Sequence, residues 1–207
     1  MRSIAIFGGT FDPVHWGHLI LAETALHQVP LEYVIWVPSL NPPHKQATSF
    51  EHRVEMLQLA IKDNPSFTIS LVEMNRSGTS YAIDTLLELS AFYPNTHWYW
   101  ILGLDAFLTL PRWYRGRELV QMCDLLVAPR LVGGENIAQS ELICKQVQQL
   151  QKQSYTISWQ LLPIPLVGLS SSLIRQMCGE RQSIRYLVPE SVRLYITAQN
   201  LYFDKSK

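Results

Sequence analysis

The feature that most constrains this chain is an alternation. Short apolar runs recur between stretches of helical periodicity along almost its whole length. Ser3–Phe7, Tyr33–Val37, Phe67–Val72, His97–Leu102, Asp124–Ala128 and Thr156–Leu162 read as strands. Gly17–Gln28, Glu51–Ile61, Tyr81–Phe92, Ile137–Gln151, Ser171–Met177 and Glu190–Ala198 read as helices. Strands alternating with helices need right-handed crossovers, which build a doubly wound, mostly parallel α/β sheet flanked by helices. In such a sheet ligands sit beyond the carboxyl ends of the strands. Functional residues are therefore expected directly after the apolar runs.

Composition narrows the classes further. With 207 residues, 47% hydrophobic and 16% charged, the chain can bury a full core and is not a disordered sequence. Seventeen basic and seventeen acidic residues give a formal net charge of zero. That excludes a general coat for nucleic acid but leaves room for a local basic pocket. Cys123, Cys144 and Cys178 show no CxxC spacing, so neither a zinc ribbon nor a disulfide scaffold is expected. Each reads as a small buried hydrophobe in a reducing, cytoplasmic setting. The start, MRSIAIFGGTFDP, has too short an apolar stretch for a signal peptide. The uncharged stretch 154–172 is interrupted by Pro163 and Pro165 and reads as a buried strand and loop rather than a membrane span. No repeat or linker divides the sequence. Residues 1–207 are expected to be one domain, whose part from 167 to 198 carries a serine loop and packing helices. Residues 131–136 read as a surface loop, and the tail from Asn200 is expected to fray.

The first strand runs into GGTFDPVHWGHL, residues 8–19. Gly8 and Gly9 let a backbone turn sharply and approach a ligand. A helix beginning near Trp16 aims its amide dipoles at the same place, a natural phosphate site. His15 and His18, three apart, can converge on one anion and stabilise charge on phosphate oxygens. The pattern contains neither GxGxxG nor a P-loop Lys, and no HExxH or Cys supports a zinc site at Asp12, His15 and His18. His27, His52 and His97 have no comparable setting, and Trp36, Trp98, Trp100 and Trp159 read as core.

This loop resembles the signature of the HxGH nucleotidylyltransferases, whose Rossmann-like fold matches the alternation. The bacterial nicotinate-nucleotide adenylyltransferases are the nearest resemblance. The loop alone would also fit phosphopantetheine adenylyltransferases or cytidylyltransferases, so other segments choose. PSLNPPHK (38–45) resembles the family's phosphate loop and implies a role for Lys45. RSGTSYAIDTL (76–86) places Thr85 where the family approaches the pyridine ring, with Ala82 in place of the usual Thr. ILGLDAFLTLPRWY (101–114) resembles a Gly-Ala/Ser-Asp segment followed by Trp-Tyr, with Leu104 in place of the small residue. It implies ribose contact by Asp105, stacking by Trp113 and an amide contact from Tyr114. GLSSSLIR (168–175) resembles ISSTxIR, with Leu169 for Ile and Ser172 for Thr. It implies phosphate binding by Ser170, Ser171 and Arg175. Arg130 matches an arginine after a strand, and YLVPESVRLYI (186–196) matches a packing helix.

The resemblance implies transfer of AMP from ATP to nicotinate mononucleotide, by in-line attack and without a covalent intermediate. His15, His18, Lys45 and Arg175 would be the catalytic groups. Gly8, Gly9, Thr10, Phe11, His18, Asp105, Ser170, Ser171 and Arg175 would hold ATP. Lys45, Thr85, Trp113 and Tyr114 would hold the acceptor. Mg2+ would enter largely through ATP phosphates and water. The alternatives are another acceptor, nicotinamide mononucleotide or phosphopantetheine, or a non-catalytic nucleotide sensor.

Overall fold

The computed structural model describes residues 2–42, 47–129, 136–153, 155–164 and 168–203. Its strands are β1 (Arg2–Gly9), β2 (Tyr33–Pro38), β3 (Phe67–Ile69), β4 (Thr96–Gly103), β5 (Cys123–Ala128) and β6 (Trp159–Leu161). They pair in parallel in the order β3-β2-β1-β4-β5-β6. The chain winds outward from β1 to β3, returns to β4 beside β1, then winds outward to β6. The carboxyl ends of β1 and β4 therefore border the crevice where the winding reverses, the usual ligand position in such sheets.

The helices are α1 (Trp16–Gln28), α2 (Phe50–Ile61), α3 (Ala82–Phe92), α4 (Leu104–Thr109), α5 (Gly116–Met122), α6 (Asn136–Lys152), α7 (Ser171–Gly179) and α8 (Glu190–Ala198). Both sheet faces are covered, so the central strand is apolar without a break: Ile4, Ala5 and Ile6 have no exposed surface. Strand alternation then splits the core. Ala5, Phe7 and Trp36 pack with residues of α1, α2, α7 and α8. Ile4, Ile6, Ile35, Trp98 and Trp100 pack with residues of α3, α4, α5 and α6.

Some expectations need correction. β3 ends at Ile69, and Val72 opens a tight 3-10 turn, Val72–Asn75, instead of continuing the strand. β6 keeps only Trp159–Leu161 of its anticipated span and is half-exposed, because an edge strand has one neighbour. Helices α4 and α5 were not anticipated: at six and seven residues they are too short for a periodic signal. Pro111 and a left-handed Arg115 (φ 50°) interrupt the segment between them. Cys123 and Cys178 are buried, but Cys144 is exposed on α6. The tail does not fray at Asn200. Leu201, Tyr202 and Phe203 pack on the core.

The glycines after Phe7 also act differently from expectation. Gly8 and Gly9 remain in β1, opposite Val37 and Pro38. The chain turns two residues later, where Phe11 adopts φ 50°. Gly9 is needed for close approach, since a Cβ there would lie 2.9 Å from the Phe11 ring. That ring is 2% exposed and wedged against Phe7 and Trp36, so it has nowhere to move. Gly9→Ala should destabilise the protein by about 1–3 kcal/mol through overpacking. Urea unfolding measures this, and a loss below about 0.5 kcal/mol would contradict the packing described.

Candidate active site

The site begins with a charge inside the protein. Arg53 lies on the α2 stripe of Phe50, Leu57 and Ile61 and is 1% exposed. Its Nε donates to Thr48 O at 2.9 Å, and its Nη1 to Thr10 O at 2.9 Å and Ser39 O at 2.8 Å. Nη2 reaches Leu40 O at 3.4 Å. One guanidinium thus ties the loop after β1 to the segments at 39–40 and 48. Two buried carboxylates complete the frame by accepting from amides. Glu73 takes Leu40 N–H at 2.9 Å, and Asp12 takes Thr48 N–H at 3.1 Å. The second oxygen of Asp12 accepts from Tyr202 O–H at 2.6 Å. Burial, then this carboxylate, push the Tyr202 phenol well above its ordinary pKa.

On one side of this frame is a cavity of about 660 Å3 at the ends of β1 and β4. Gly8, Gly9, Thr10, Phe11, His15, His18, Asp105, Ser170, Ser171 and Arg175 all line it. His15 is the N-cap of α1, and its ring stacks on His18 with centroids 3.8 Å apart. Gly17 permits this, because a Cβ there would meet the His15 ring at 3.0 Å. His18 Nδ1 accepts from the His15 backbone N–H at 3.3 Å, which leaves the proton of a neutral ring on Nε2. Burial, reinforced by the His15 charge, holds the His18 pKa well below the ordinary imidazole value. The ring is therefore a neutral donor at pH 7.

The opposite wall is the start of α7. Ser170 caps it by accepting from Leu173 N–H at 3.1 Å. Ser171 Oγ donates to Pro13 O at 2.9 Å, and Arg175 Nη1 to Asp12 O at 2.7 Å. These bonds tie α7 to the loop after β1, and the start of α7 lines the same cavity as the histidine pair. Leu104 turns into the core while Asp105 stays exposed at the cavity. They separate because both lie in the first turn of α4, not because they alternate along a strand.

A second cavity, about 920 Å3, lies on the other side of Arg53. Its lining includes Asn41, Thr48, Thr79, Tyr81, Arg112 and Tyr114. The rings of Tyr81 and Tyr114 are in contact, tilted by 34° with centroids 4.5 Å apart. Two of the expected acceptor residues, Thr85 and Trp113, have side chains engaged within the protein. Thr85 is 1% exposed, accepts from Arg76 Nη2 at 2.7 Å and donates to Glu73 Oε1 at 2.9 Å. Its hydroxyl braces α3 and does not reach the cavity. Trp113 is partly buried against the core, and its Nε1 donates to Thr109 Oγ1 at 3.1 Å. The aromatic rings that line the cavity are those of Tyr81 and Tyr114. Lys45, Arg130 and residues 131–135 of the loop expected at 131–136 lie outside the described residues, and Asn136 already belongs to α6. Sequence reading missed Arg53, Glu73 and Tyr202. Arg53 had one visible sign, a lone charge on an apolar helix stripe.

Sheet order and cavities together are those of an α/β nucleotide-binding fold. A family model described as cytidylyltransferase-like matches residues 6–177. A Nostoc sp. protein named as a probable nicotinate-nucleotide adenylyltransferase is 70% identical, with 100% of each chain covered. A Synechococcus sp. protein of the same name is 46% identical, with 98% of each covered. Among solved structures, the Plasmodium falciparum nicotinic acid mononucleotide adenylyltransferase complexed with NaAD aligns at TM-score 0.80 and 22% identity, covering 98% of each chain. The chain belongs to the cytidylyltransferase-like family and, within it, to that of the nicotinate-nucleotide adenylyltransferases.

The frame can be tested separately from catalysis. Arg53→Met takes the guanidinium donor from the half-buried carbonyls of Thr10, Ser39 and Thr48, each loss costing up to roughly 1–3 kcal/mol. Denaturant unfolding should show a loss of at least about 2 kcal/mol, partly restored in Arg53→Lys. A loss under about 1 kcal/mol would mean the guanidinium does not hold the loops together.

Proposed function

We propose that the chain transfers the AMP group of ATP to nicotinate mononucleotide, forming nicotinate adenine dinucleotide and pyrophosphate. The observation that carries this reading is the pairing of two cavities across one rigid frame, in a chain 70% identical throughout to a protein of that name. ATP occupies the cavity at β1 and β4, and the mononucleotide occupies the cavity lined by Tyr81 and Tyr114. An oxygen of the mononucleotide phosphate attacks the α-phosphorus of ATP. A P–O bond forms there as the bond to the β-phosphate bridge breaks, and the electron pair leaves with pyrophosphate. A phosphate monoester is largely ionised near neutral pH, so no general base is needed. The work left to the protein is alignment and charge stabilisation.

His18 donates from Nε2 to oxygens of the α-phosphate as charge builds there, and His15 keeps its ring oriented. The α7 amides, with Ser170, Ser171 and Arg175, hold the phosphates that depart as pyrophosphate. Gly8, Gly9, Thr10 and Phe11 supply the close backbone wall, and Asp105 takes ribose hydroxyls. Lys45 neutralises acceptor and donor phosphates. Tyr114 and its neighbours hold the pyridine. Magnesium arrives with ATP as part of the substrate and reduces the charge of the triphosphate. Among the described residues no cluster of three or more His, Cys, Asp or Glu is placed to hold a metal. The amide, imidazole and guanidinium donors around the first cavity suit a metal-chelated triphosphate better than a metal caged by protein. No helix among the described residues is long and apolar enough to cross a membrane.

Pyrophosphate release from MgATP should be fastest with nicotinate mononucleotide among that acceptor, nicotinamide mononucleotide and phosphopantetheine. His18→Ala should lower kcat by about 10²–10³ while the protein stays folded. Near-full turnover by that variant would remove His18 from the reaction. No release with any acceptor, despite ATP binding, would favour a nucleotide sensor.

A further inference from the structure

We propose that Tyr202, in the tail after α8, is a positioning residue for the phosphate-binding guanidinium of Arg175, acting through Asp12. The inference rests on the function reading above, in which Arg175 holds the departing phosphates. Asp12 is 4% exposed, and both of its carboxylate oxygens are taken by donors of the fold. Oδ1 accepts from Tyr202 O–H at 2.6 Å, and Oδ2 accepts from Thr48 N–H at 3.1 Å. A side chain clamped at both oxygens holds its own main chain in place. That main chain is what Arg175 leans on, since Asp12 O accepts from Arg175 Nη1 at 2.7 Å. The next carbonyl, Pro13 O, accepts from Ser171 Oγ at 2.9 Å and so pins the start of the helix that carries Arg175. Nη2 of Arg175 donates to Ser172 Oγ at 3.3 Å. A guanidinium has further N–H groups, and these remain for an anion in the cavity that Arg175 lines. A shift of Asp12 therefore moves the donors that meet the phosphates.

The tail is shaped to deliver this hydroxyl. Gln199 N–H closes α8 on Tyr195 O at 2.9 Å, and Leu201 N–H returns to Ile196 O at 3.0 Å. Asn200 and Tyr202 then take left-handed backbone, with φ 50° and 67°. Asparagine tolerates that region, but for a bulky tyrosine it is an outlier that persists only where its surroundings hold it. Packing gives no reason for a hydroxyl here, because a phenylalanine would cover the same core surface. The phenol oxygen also lies 3.9 Å from Met56 Sδ, a weak partner beside a carboxylate. With its pKa raised by burial and by Asp12, the phenol stays a donor at neutral pH.

The test measures kcat and the KM for MgATP, with nicotinate mononucleotide saturating, in the full chain, Tyr202→Phe, Arg175→Ala and the double variant. Phenylalanine keeps the ring and its packing, and urea unfolding gives the folded fraction by which each rate is scaled. Tyr202→Phe should lower kcat about tenfold, as a small misalignment at the reacting centre does, with KM changed by less than about threefold. The double variant should fall less than about threefold below Arg175→Ala, because the hydroxyl then has no guanidinium to position. A Tyr202→Phe chain that is less stable but keeps its kcat per folded molecule makes the bond structural and overturns the proposal, as does a change confined to KM. Effects that multiply in the double variant overturn it too, because Tyr202 would then act on another group. An unaltered chain that releases no pyrophosphate with the acid overturns the function reading itself, and this inference with it.

Discussion

Arg53 carries a positive charge at 1% exposure, held by backbone carbonyls rather than by a carboxylate. Desolvating a guanidinium is costly, and the arrangement persists only because Thr10, Ser39 and Thr48 each offer an oxygen within 2.9 Å. Thr10 lines one cavity and Thr48 the other. The bonds that satisfy the charge therefore also fix the separation between the cavities. Removing one acceptor would leave a buried donor unmatched, so the two loops keep their places together.

The rest of the site is fastened to this frame. Asp12 receives Thr48, Tyr202 and, through its carbonyl, Arg175. One residue of the turn after β1 thereby joins the segment leading into α2, the helix α7 and the C-terminal tail. The histidine pair needs the same support. Its rings stack at 3.8 Å only because Gly17 leaves space and the loop fixes the start of α1. For a reaction in which two anions must be aligned, rigidity of this kind matters more than any single strong contact.

Much of this was legible in the sequence, for a definite reason. Apolar runs such as Ile4–Ile6 report a strand buried on both faces, and strand–helix alternation leaves few topologies. The histidine pair and the serine-capped helix were legible because each is a local pattern of a few residues. What the sequence does not show is nonlocal or short. Thr85 is consecutive with helix residues and gives no sign that Glu73 and Arg76 claim its hydroxyl. Trp113 and Tyr114 are adjacent, so sequence cannot say which ring meets the cavity and which meets the core. The length of β6 depends on having one neighbour, and the order of the tail depends on Tyr202 reaching Asp12, 190 residues away.

The proposed reaction is a single displacement between two substrates held side by side, with no group on the protein taking the AMP. The stereochemical course at the α-phosphorus tests that most directly. With ATP made chiral at this atom by sulfur substitution, one in-line attack predicts inversion in the dinucleotide product. Retention would require two displacements and an adenylylated residue, and would contradict the account.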